Sequence, residues 1–427
     1  MADWKTVYNQ KKTDPKTAVE KSIRTGDQVV LGHCAGVPAE LVNEMMAQGE
    51  KLSNVRVFHM VPLHDCAYCN DEWEGFFRHT TIFAGGSTRN SINEGRGDFI
   101  PCYFSELPAR FRDGSIDCDV AFIMVSPPDE HGFMSFGTSV DYTLQAAQSA
   151  RIVVAEVNHK MPRTYGSYIH VSEIDYLVET DYDLIEIPLP KIGETEEKIG
   201  QYIAELIPDR ATLQLGIGAI PDAVLHFLAD KKDLGIHTEM FSDGVVDLYE
   251  KGVVTNKYNN LNPGKFIATF LMGTKKLYEF VNNNPAILMK PVDYTNSVFV
   301  AGRLENLISI NSAIEVDLYG QVAADMIGPK QFSGVGGQVD FVRSAMLSLG
   351  GKSILAFPST GKKGSISRIT NRLNEGSCVT TLRHDVDYIV TEYGVASLKG
   401  RSNTKRAEAL IDIAHPDFRD ALLASLK

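Results

Sequence analysis

The amino-acid sequence predicts an α/β protein built of two open, largely parallel-sheet domains of related design. Three features lead to this prediction. A chain of 427 residues is too long for one ordinary core and favours two domains of about 200 residues. Apolar runs such as 120–125 and 152–157 are rich in β-branched residues, as is typical of parallel strands covered on both faces. A strand, a glycine turn, a proline and a helix follow one another at 25–41 and again at 209–225.

This recurring pattern indicates that the two halves share a design. In the first copy a short apolar strand enters a glycine turn and then a helix with Pro38 near its first position. In the second copy the turn is formed around Gly216 and the proline is Pro221. One recurrence at about half the chain length predicts two related domains, because a solenoid would show shorter periods.

The boundary between the two domains is expected near residue 192. Two prolines and Gly193 interrupt the pattern just before a helical stretch at 194–207. The predicted domains are therefore 1–192 and 193–427. The second half continues the alternation of elements, with strands at 353–357 and 387–391 and an amphipathic C-terminal helix from Pro416.

Composition and charge exclude several classes of function. Apolar residues make up 44% of the chain and charged residues 22%, as in a soluble globular enzyme. The formal net charge of -12 repels polyanions, and the chain has no basic block that would bind nucleic acid. No apolar run approaches the ~20 residues needed to cross a bilayer, and the N-terminus lacks the order of a signal peptide. We therefore expect a cytoplasmic protein that binds neither nucleic acid nor membrane.

The six cysteines are sparse for a chain of this length, which favours reduced thiols. One pair, Cys66 and Cys69, has the spacing of a metal or redox motif, and His59, His64 and His79 lie near it in sequence. A zinc site usually has a second matched pair, and a redox motif needs a thioredoxin-like setting. The sequence shows neither, so the favoured interpretation is ordinary buried or loop thiols and no metal.

The segment around Glu239 is the strongest candidate for the chemistry. Glu239 follows a short apolar stretch and precedes Ser242-Asp243-Gly244, a turn that fixes the direction of the chain. A side chain in this position is presented to a ligand. Glycine-rich turns at 216–221 and 334–337 could converge on it. The alternative is a solvated glutamate, or one paired with a nearby cation.

The turn at 216–221 allows more than one interpretation. Gly216 and Gly218 after a strand suggest a dinucleotide fingerprint, in which Glu239 would bind the ribose, but Pro221 stands where the third glycine belongs. In any interpretation the turn gives close backbone approach and a helix N-terminus, which suit an anionic or electron-rich ligand. A tight strand-to-helix connection without a ligand is the remaining alternative.

The second glycine-rich loop could stabilise a developing negative charge. Gly334, Val335, Gly336 and Gly337 can direct successive N–H groups to one point, as in an oxyanion hole. Farther along, the loop 359–365 carries Lys362 and Lys363 among small residues, which would suit phosphate groups. Two lysines in a loop are more often only solvated.

Two histidines lie near the glycine-rich segments. His33 in the first glycine turn and His237 just before Glu239 could each act as a base, although a lone histidine is more often structural. The chain has no Gly-x-Ser-x-Gly elbow, which argues against a serine hydrolase of that type.

Taken together, these segments closely resemble the acetyl-CoA hydrolase/transferase family. The resemblance rests on Gly216-Ile-Gly-Ala-Ile-Pro221, on Glu239 within His-Thr-Glu-Met-Phe-Ser-Asp-Gly, and on Gly334-Val-Gly-Gly-Gln-Val-Asp-Phe-Val342. It extends over essentially the whole chain and includes 126–133, 356–359 and 391–394.

The resemblance implies a fold and a set of site residues. The family's fold consists of two open α/β domains, with the active site in the cleft between them and CoA bound mainly by the C-terminal domain. Glu239 matches the glutamate that becomes a glutamyl-CoA thioester. The positions that match CoA contacts are Gly216, Ile217, Gly218, Ala219, Ile220, Ile314, Gly337 and Lys362. His33 and the loop 126–133 are the candidates for the wall of the acyl pocket.

The expected activity is transfer of CoA between short-chain carboxylic acids, with 4-hydroxybutyrate or butyrate and acetate as the favoured substrates. Kinetics should be ping-pong, with no permanently bound cofactor and CoA as a substrate. The family implies a homo-oligomer, expected to be a homodimer. Three alternatives stay open: a CoA-thioester hydrolase of the same fold, a nicotinamide-dependent oxidoreductase, and a CoA-binding sensor without catalysis.

Overall fold

The computed structural model describes residues 3–216 and 218–426, which form two compact units. Unit 1 comprises the described residues up to Ile187 together with Ile267–Thr295. Unit 2 comprises Pro188–Phe266 and the described residues from Asn296 onward. The first boundary lies close to the predicted one at 192. The sequence did not predict that 267–295 belongs with unit 1, so the division into 1–192 and 193–427 needs this correction.

Unit 1 is organised around a seven-stranded sheet in which all neighbouring strands are parallel. In chain order its strands are β1 (Gln28–Leu31), β2 (Val55–Phe58), β3 (Phe77–Thr81), β4 (Asp98–Phe99), β5 (Val120–Val125), β6 (Ile152–Asn158) and β7 (Tyr176–Thr180). Their spatial order is β4-β3-β2-β1-β5-β6-β7. All six residues of β5 are buried, which confirms the prediction of strands covered on both faces.

Unit 2 contains a second, six-stranded sheet. Its strands are β8 (Thr212–Leu215), β9 (Gly235–Ile236), β10 (Leu307–Ser312), β11 (Lys352–Ala356), β12 (Tyr388–Thr391) and β13 (Gly394–Ser397). Their spatial order is β9-β8-β10-β11-β12-β13, and only the last pair is antiparallel. The strands predicted at 353–357 and 387–391 are thus present within one residue at each end. A largely parallel α/β fold is confirmed.

Helices cover the sheets and are joined by further short strands. The helices are α1 (Trp4–Lys11), α2 (Pro15–Ser22), α3 (Ala39–Ala47), α4 (Arg89–Asn93), α5 (Leu107–Arg112), α6 (Thr143–Ser149), α7 (Glu194–Leu206), α8 (Ala219–His226), α9 (Asp243–Glu250), α10 (Lys275–Val281), α11 (Val292–Thr295), α12 (Val298–Ala301), α13 (Gln338–Leu347), α14 (Asn403–Asp412) and α15 (Pro416–Ala424). The short strands are Phe133–Ser135, Tyr168–His170, Met240–Phe241, Phe266–Ala268, Phe270–Leu271, Ile287–Met289, Glu315–Asp317, Val322–Ala323, Met326–Ile327, Lys330–Gln331, Thr360–Gly361, Ile366–Ser367 and Ile369–Thr370. Within residues 3–216 and 218–426, no helix is both long and apolar enough to span a membrane.

Each sheet has one point where the strand order reverses. In unit 1 the chain adds strands on one side of β1 and then returns to place β5 on the other side. In unit 2 the same reversal occurs between β8 and β10. Open α/β sheets bind ligands outside the carboxyl ends of their strands at such a point. His33 follows β1 in unit 1, and Gly216 follows β8 in unit 2, so both predicted glycine turns lie at a reversal point.

Candidate active site

Glu239 lies at the carboxyl edge of the sheet in unit 2. It comes three residues after the end of β9, and α9 begins four residues beyond it at Asp243. The two residues that precede it, His237 and Thr238, are fully buried, whereas Glu239 is half-buried. The short strand and the following helix therefore hold the backbone in place while the carboxylate reaches the surface of the edge.

The Glu239 carboxylate is held by an asparagine that is distant in sequence. Asn296 Nδ2 donates a hydrogen bond to Glu239 Oε2 at 2.7 Å, and Asn296 is completely buried. A buried amide donor fixes one oxygen and stabilises the charged form of the carboxylate. Sequence reasoning missed Asn296, because nothing in the residues around it marks a partner 57 positions away.

The glycine loop 334–337 approaches the same carboxylate. A Cβ atom at Gly337 would lie 1.9 Å from Glu239 Oε2 and 2.3 Å from Asn296 Nδ2, so a side chain at this position would displace both groups. Gly336 has φ of +53°, in the left-handed region that favours glycine. The two glycines thus allow backbone and carboxylate to pack directly against each other.

The N-terminus of a helix begins at this loop. Gly337 is the N-cap of α13, so the positive end of the helix dipole lies beside the Glu239 carboxylate. Gln338, the first helical residue, donates from Nε2 to the Ser312 carbonyl at 2.7 Å, which ties the helix start to the end of β10. Negative charge is therefore favoured at this position.

The turn after β8 is joined to both sides of Glu239. Thr238 Oγ1 accepts a hydrogen bond from the Leu215 N–H at 3.1 Å, just before the turn. Ser242 Oγ donates to Asp222 Oδ1 at 2.9 Å, in the first turn of α8. Burial raises the pKa of Asp222, and the hydrogen bond from Ser242 opposes that shift. These contacts fix the turn relative to the segment that carries Glu239.

The backbone of the turn is defined by a hydrogen bond at Gly216 and by the positive φ of Gly218. Gly216 donates its N–H to the Ile310 carbonyl at 2.9 Å, across the reversal point. Gly218 is the N-cap of α8 and has φ of +110°, which side chains rarely adopt. Ala219 and Ile220 begin the helix. Ile217 lies outside the described residues.

Two other predicted positions lie elsewhere in unit 2. Ile314 is half-buried just after β10, and its N–H is bonded to the Ala323 carbonyl at 2.9 Å. Lys362 is exposed in the hairpin between Thr360–Gly361 and Ile366–Ser367. Lys362 and Lys363 both have positive φ, 44° and 57°, a conformation that is uncommon outside glycine.

Arg368 is a cation near this hairpin that sequence reasoning missed. It is half-buried, and a Cβ at Gly361 would lie 3.4 Å from its Nε. Burial lowers the pKa of Arg368, and the nearby Glu392 opposes that shift. An arginine keeps its charge even so, which makes Arg368 a candidate partner for an anionic group.

His237 lies in the core of unit 2. Its ring is completely buried and makes an edge contact with Phe341 of α13, with ring centroids 6.4 Å apart. This burial favours the structural alternative for His237, and a role as a base stays an untested prediction.

His33 belongs to a buried polar cluster in unit 1. Its Nδ1 lies 2.9 Å from Asp141 Oδ2, and Ser139 Oγ donates to the same oxygen at 2.7 Å. His33 Nε2 is buried and has no hydrogen-bond partner among the described residues. The ring packs against Phe270, with centroids 4.5 Å apart. Asp141 was not predicted, since no local pattern links it to a histidine 108 residues away.

Unit 1 also contains a cavity of about 620 Å³. Its lining includes Ser126 and Pro127, the first two residues of the loop proposed from sequence as part of the acyl pocket. Its wall contains cations and acids in similar number: Lys160, Arg163, Lys275, Asp183, Glu186 and Glu279. Charge alone therefore selects no single kind of ligand for it.

Two family models match the chain, one toward each end, and residues 188–272 lie between the two matches. Residues 2–187 match the acetyl-CoA hydrolase/transferase N-terminal domain, and residues 273–426 match the acetyl-CoA hydrolase/transferase C-terminal domain.

Individual relatives are similar over almost the whole chain. The chain is 52% identical to 4-hydroxybutyrate coenzyme A transferase of Clostridium kluyveri, covering 100% of this chain and 99% of that one. It is 40% identical to butyryl-CoA:acetate CoA-transferase of Anaerostipes caccae, covering 97% and 95%. The crystal structure of 4-hydroxybutyrate CoA-transferase from Porphyromonas gingivalis has a TM-score of 0.86 at 43% identity, covering 99% of each chain.

Proposed function

The chain belongs to the acetyl-CoA hydrolase/transferase family, and we propose that it is a CoA-transferase that moves CoA between short-chain carboxylic acids through a thioester on Glu239. One observation supports this role above others. A half-buried carboxylate is held by Asn296 and packed against the backbone of Gly337 at the N-terminus of a helix. This setting orients the carboxylate, as a nucleophile requires.

The proposed reaction is a double displacement. An oxygen of Glu239 attacks the acyl-CoA carbonyl, the C–S bond breaks, and a mixed anhydride and the CoA thiolate form. The thiolate then attacks the glutamyl carbonyl, so that the donor acid leaves as a carboxylate and Glu239 carries CoA as a thioester. The acceptor carboxylate repeats both steps in reverse. No net proton is taken up or released, and the group-transfer energy of the thioester is conserved.

The surrounding groups have separate tasks in this proposal. Asn296 positions one oxygen of Glu239, and the N–H groups of the loop Gly334, Val335, Gly336 and Gly337 stabilise the oxyanion formed at each step, at about 3 kcal/mol per donor. CoA is bound by the turn at 216–220 and by Ile314, with Lys362 at its phosphates. Binding energy from these remote contacts orients the thioester for attack. CoA is thus a substrate.

We propose 4-hydroxybutyrate or butyrate and acetate as the acids. The support is the identity of 52% to a 4-hydroxybutyrate enzyme and of 40% to a butyryl-CoA:acetate enzyme. His33 is proposed as part of the wall that receives the acyl chain, since its buried Nε2 could bond a hydroxyl or carboxylate oxygen. A homodimer stays a prediction, to be checked by analytical ultracentrifugation.

The test is to trap the intermediate. The protein is incubated with butyryl-CoA or acetyl-CoA, treated with borohydride or hydroxylamine, digested and examined by mass spectrometry. We expect a modified peptide that contains Glu239 only after preincubation with acyl-CoA. Modification that does not depend on acyl-CoA, or that lies on another residue, contradicts the thioester.

The same preparation distinguishes a transferase from a hydrolase. Loss of butyryl-CoA is followed with and without added acetate, and acetyl-CoA formation is measured in parallel. A transferase consumes the thioester only when acetate is present and forms acetyl-CoA in equal amount. Consumption at the same rate without acetate would identify a hydrolase.

A further inference from the structure

Unit 1 contains a group of potential metal ligands that the proposed transfer reaction does not use. His59 directly follows β2, and His64 and Cys66 lie in the loop behind it. One ligand atom from each of these three side chains lies within 4.8 Å of the other two. The distance from His64 Nε2 to Cys66 Sγ is 4.0 Å. Among the residues the structure describes, this is the one such group of histidine, cysteine and carboxylate side chains.

The ligand atoms are sheltered from water. His59 is completely buried, Cys66 is 2% exposed, and His64 is half-buried, which leaves a path for an ion from solvent. His59 Nε2 is buried and has no hydrogen-bond partner among the described residues, so a bound ion would satisfy it. The rings of His59 and His64 lie side by side, at a centroid distance of 5.1 Å.

The hydrogen bonds around the group fit a metal site. The Tyr68 hydroxyl lies 3.3 Å from Cys66 Sγ and 3.3 Å from His59 Nδ1, and Ser87 Oγ donates to Cys66 Sγ at 3.5 Å. Metal-binding histidines and thiolates are commonly held by such outer partners.

We propose that His59, His64 and Cys66 form a binding site for a divalent transition-metal ion of the Zn²⁺ type. Two imidazole nitrogens and one thiolate are ligands that Zn²⁺ prefers, and three protein ligands leave a fourth tetrahedral position for water. In a tetrahedral site the nitrogen and sulfur ligands lie about 3.6 Å apart, so the 4.0 Å separation needs only a small closure. On binding, the metal–sulfur bond replaces the S–H bond, and the thiol proton passes to solvent.

The group of His59, His64 and Cys66 lies near the carboxyl edge of the sheet in unit 1. Because β1 and β2 are neighbours in the sheet, His59 lies on the same carboxyl edge as His33. A single cysteine pair without a matched second pair favoured ordinary thiols in the sequence. In the structure two histidines lie beside Cys66, and one of them, His59, comes from the end of a strand.

The experiment measures metal binding directly and does not depend on the transfer activity. The full-length protein is stripped with a chelator, reconstituted with Zn²⁺, desalted and analysed by inductively coupled plasma mass spectrometry. Substitution of Co²⁺ adds a spectroscopic readout, because a thiolate ligand gives a charge-transfer band in the near ultraviolet. We expect one metal ion per chain and the cobalt–thiolate band in the unmodified protein.

Variants assign the ligands. Cys66→Ser should abolish the cobalt–thiolate band, and His64→Ala should lower metal retention by about tenfold or more, as expected when a ligand or its partner is lost. The matched controls are Cys378→Ser and His131→Ala, since Cys378 and His131 are exposed and lie outside the group. Because His64 is half-buried, His64→Ala keeps the test valid if the variant at Cys66 does not fold. Less than stoichiometric metal in the unmodified protein, or binding that both ligand variants retain, overturns the proposal.

Discussion

Both units have a largely parallel sheet with one reversal of strand order, but they present different kinds of groups at that point. In unit 2 the reversal point is surrounded by backbone: Gly216 and Gly218 form one turn, and Gly337 packs directly on the Glu239 carboxylate. In unit 1 the corresponding edge carries buried side chains, with His33 held by Asp141. The reversal of strand order therefore decides where a ligand can bind, whereas the residues at that point decide the chemistry.

The contrast assigns different tasks to the two units. Glycine-rich turns bring N–H groups and a helix N-terminus close to reacting atoms, which suits a covalent step with a developing oxyanion. Buried imidazoles can bind a polar group or a metal ion through their ring nitrogens, so they do not need backbone groups close to the ligand. Variants at the two edges should therefore differ in the size of their effect and in which kinetic constant they change.

The largest effect is expected from removing the carboxylate in unit 2. Glu239→Gln keeps the shape of the side chain but removes the nucleophile, so transfer should fall by about 10³-fold or more. Glu239→Asp should also lose most activity, because the carboxylate retreats by one methylene. The measurement is the rate of CoA transfer, with circular dichroism to verify folding. Glu205→Gln, an exposed glutamate on α7, is the matched control. Normal turnover of Glu239→Gln would contradict the proposal that the covalent step takes place in unit 2.

The second largest effect is expected at Gly337, where the backbone packs against the Glu239 carboxylate. Gly337→Ala places a Cβ 1.9 Å from the position of Glu239 Oε2, so the carboxylate must shift. A misplacement of about 1 Å can cost about 10²-fold in rate, and we expect a loss of kcat of that order. Gly86→Ala is the control, because a Cβ there meets no atom within 4 Å. If Gly337→Ala retained the full rate, the close packing of backbone against the Glu239 carboxylate would not matter for catalysis, and the contrast drawn between the two units would be wrong.

Asn296 is expected to have a smaller effect on rate and a distinct effect on pH dependence. Asn296→Ala removes the 2.7 Å hydrogen bond to Glu239 and should lower kcat by about tenfold to 10²-fold. Asn296→Asp places a second carboxyl group beside Glu239, which disfavours its charged form and should move the acid limb of the pH–rate profile to higher pH. Asn371→Ala, at an exposed position of the same unit, serves as control. An unchanged acid limb in Asn296→Asp would show that Asn296 does not act through Glu239.

The smallest effect is expected in unit 1. His33→Gln should raise KM for the carboxylate acceptor by about tenfold, the size of one hydrogen bond, and leave KM for acyl-CoA unchanged. Asp141→Asn should act in the same direction, since Asp141 orients the ring. His384→Gln, at an exposed histidine outside the predicted sites, is the control. A fall in kcat as large as that of Gly337→Ala would mean that unit 1 takes part in the covalent step, and the division of tasks would be wrong.

Much of the fold could be predicted from contiguous residues. The runs at 120–125 and 152–157, the glycine turns after β1 and β8, and the helix from Pro416 were all visible as local patterns, because strand periodicity and turn chemistry depend on neighbours in the chain. The sequence did not reveal that residues 267–295 belong to unit 1, because no change in composition marks this segment.

The sequence by itself determined the parallel α/β architecture, the family and the choice of Glu239 as the candidate nucleophile. Tertiary structure alone decided that Asn296 and Gly337 meet that carboxylate, that Asp141 orients His33, and that His64 and Cys66 lie beside His59. The physical reason is that local patterns record backbone conformation, whereas contacts between distant residues follow from the order in which strands assemble in a sheet.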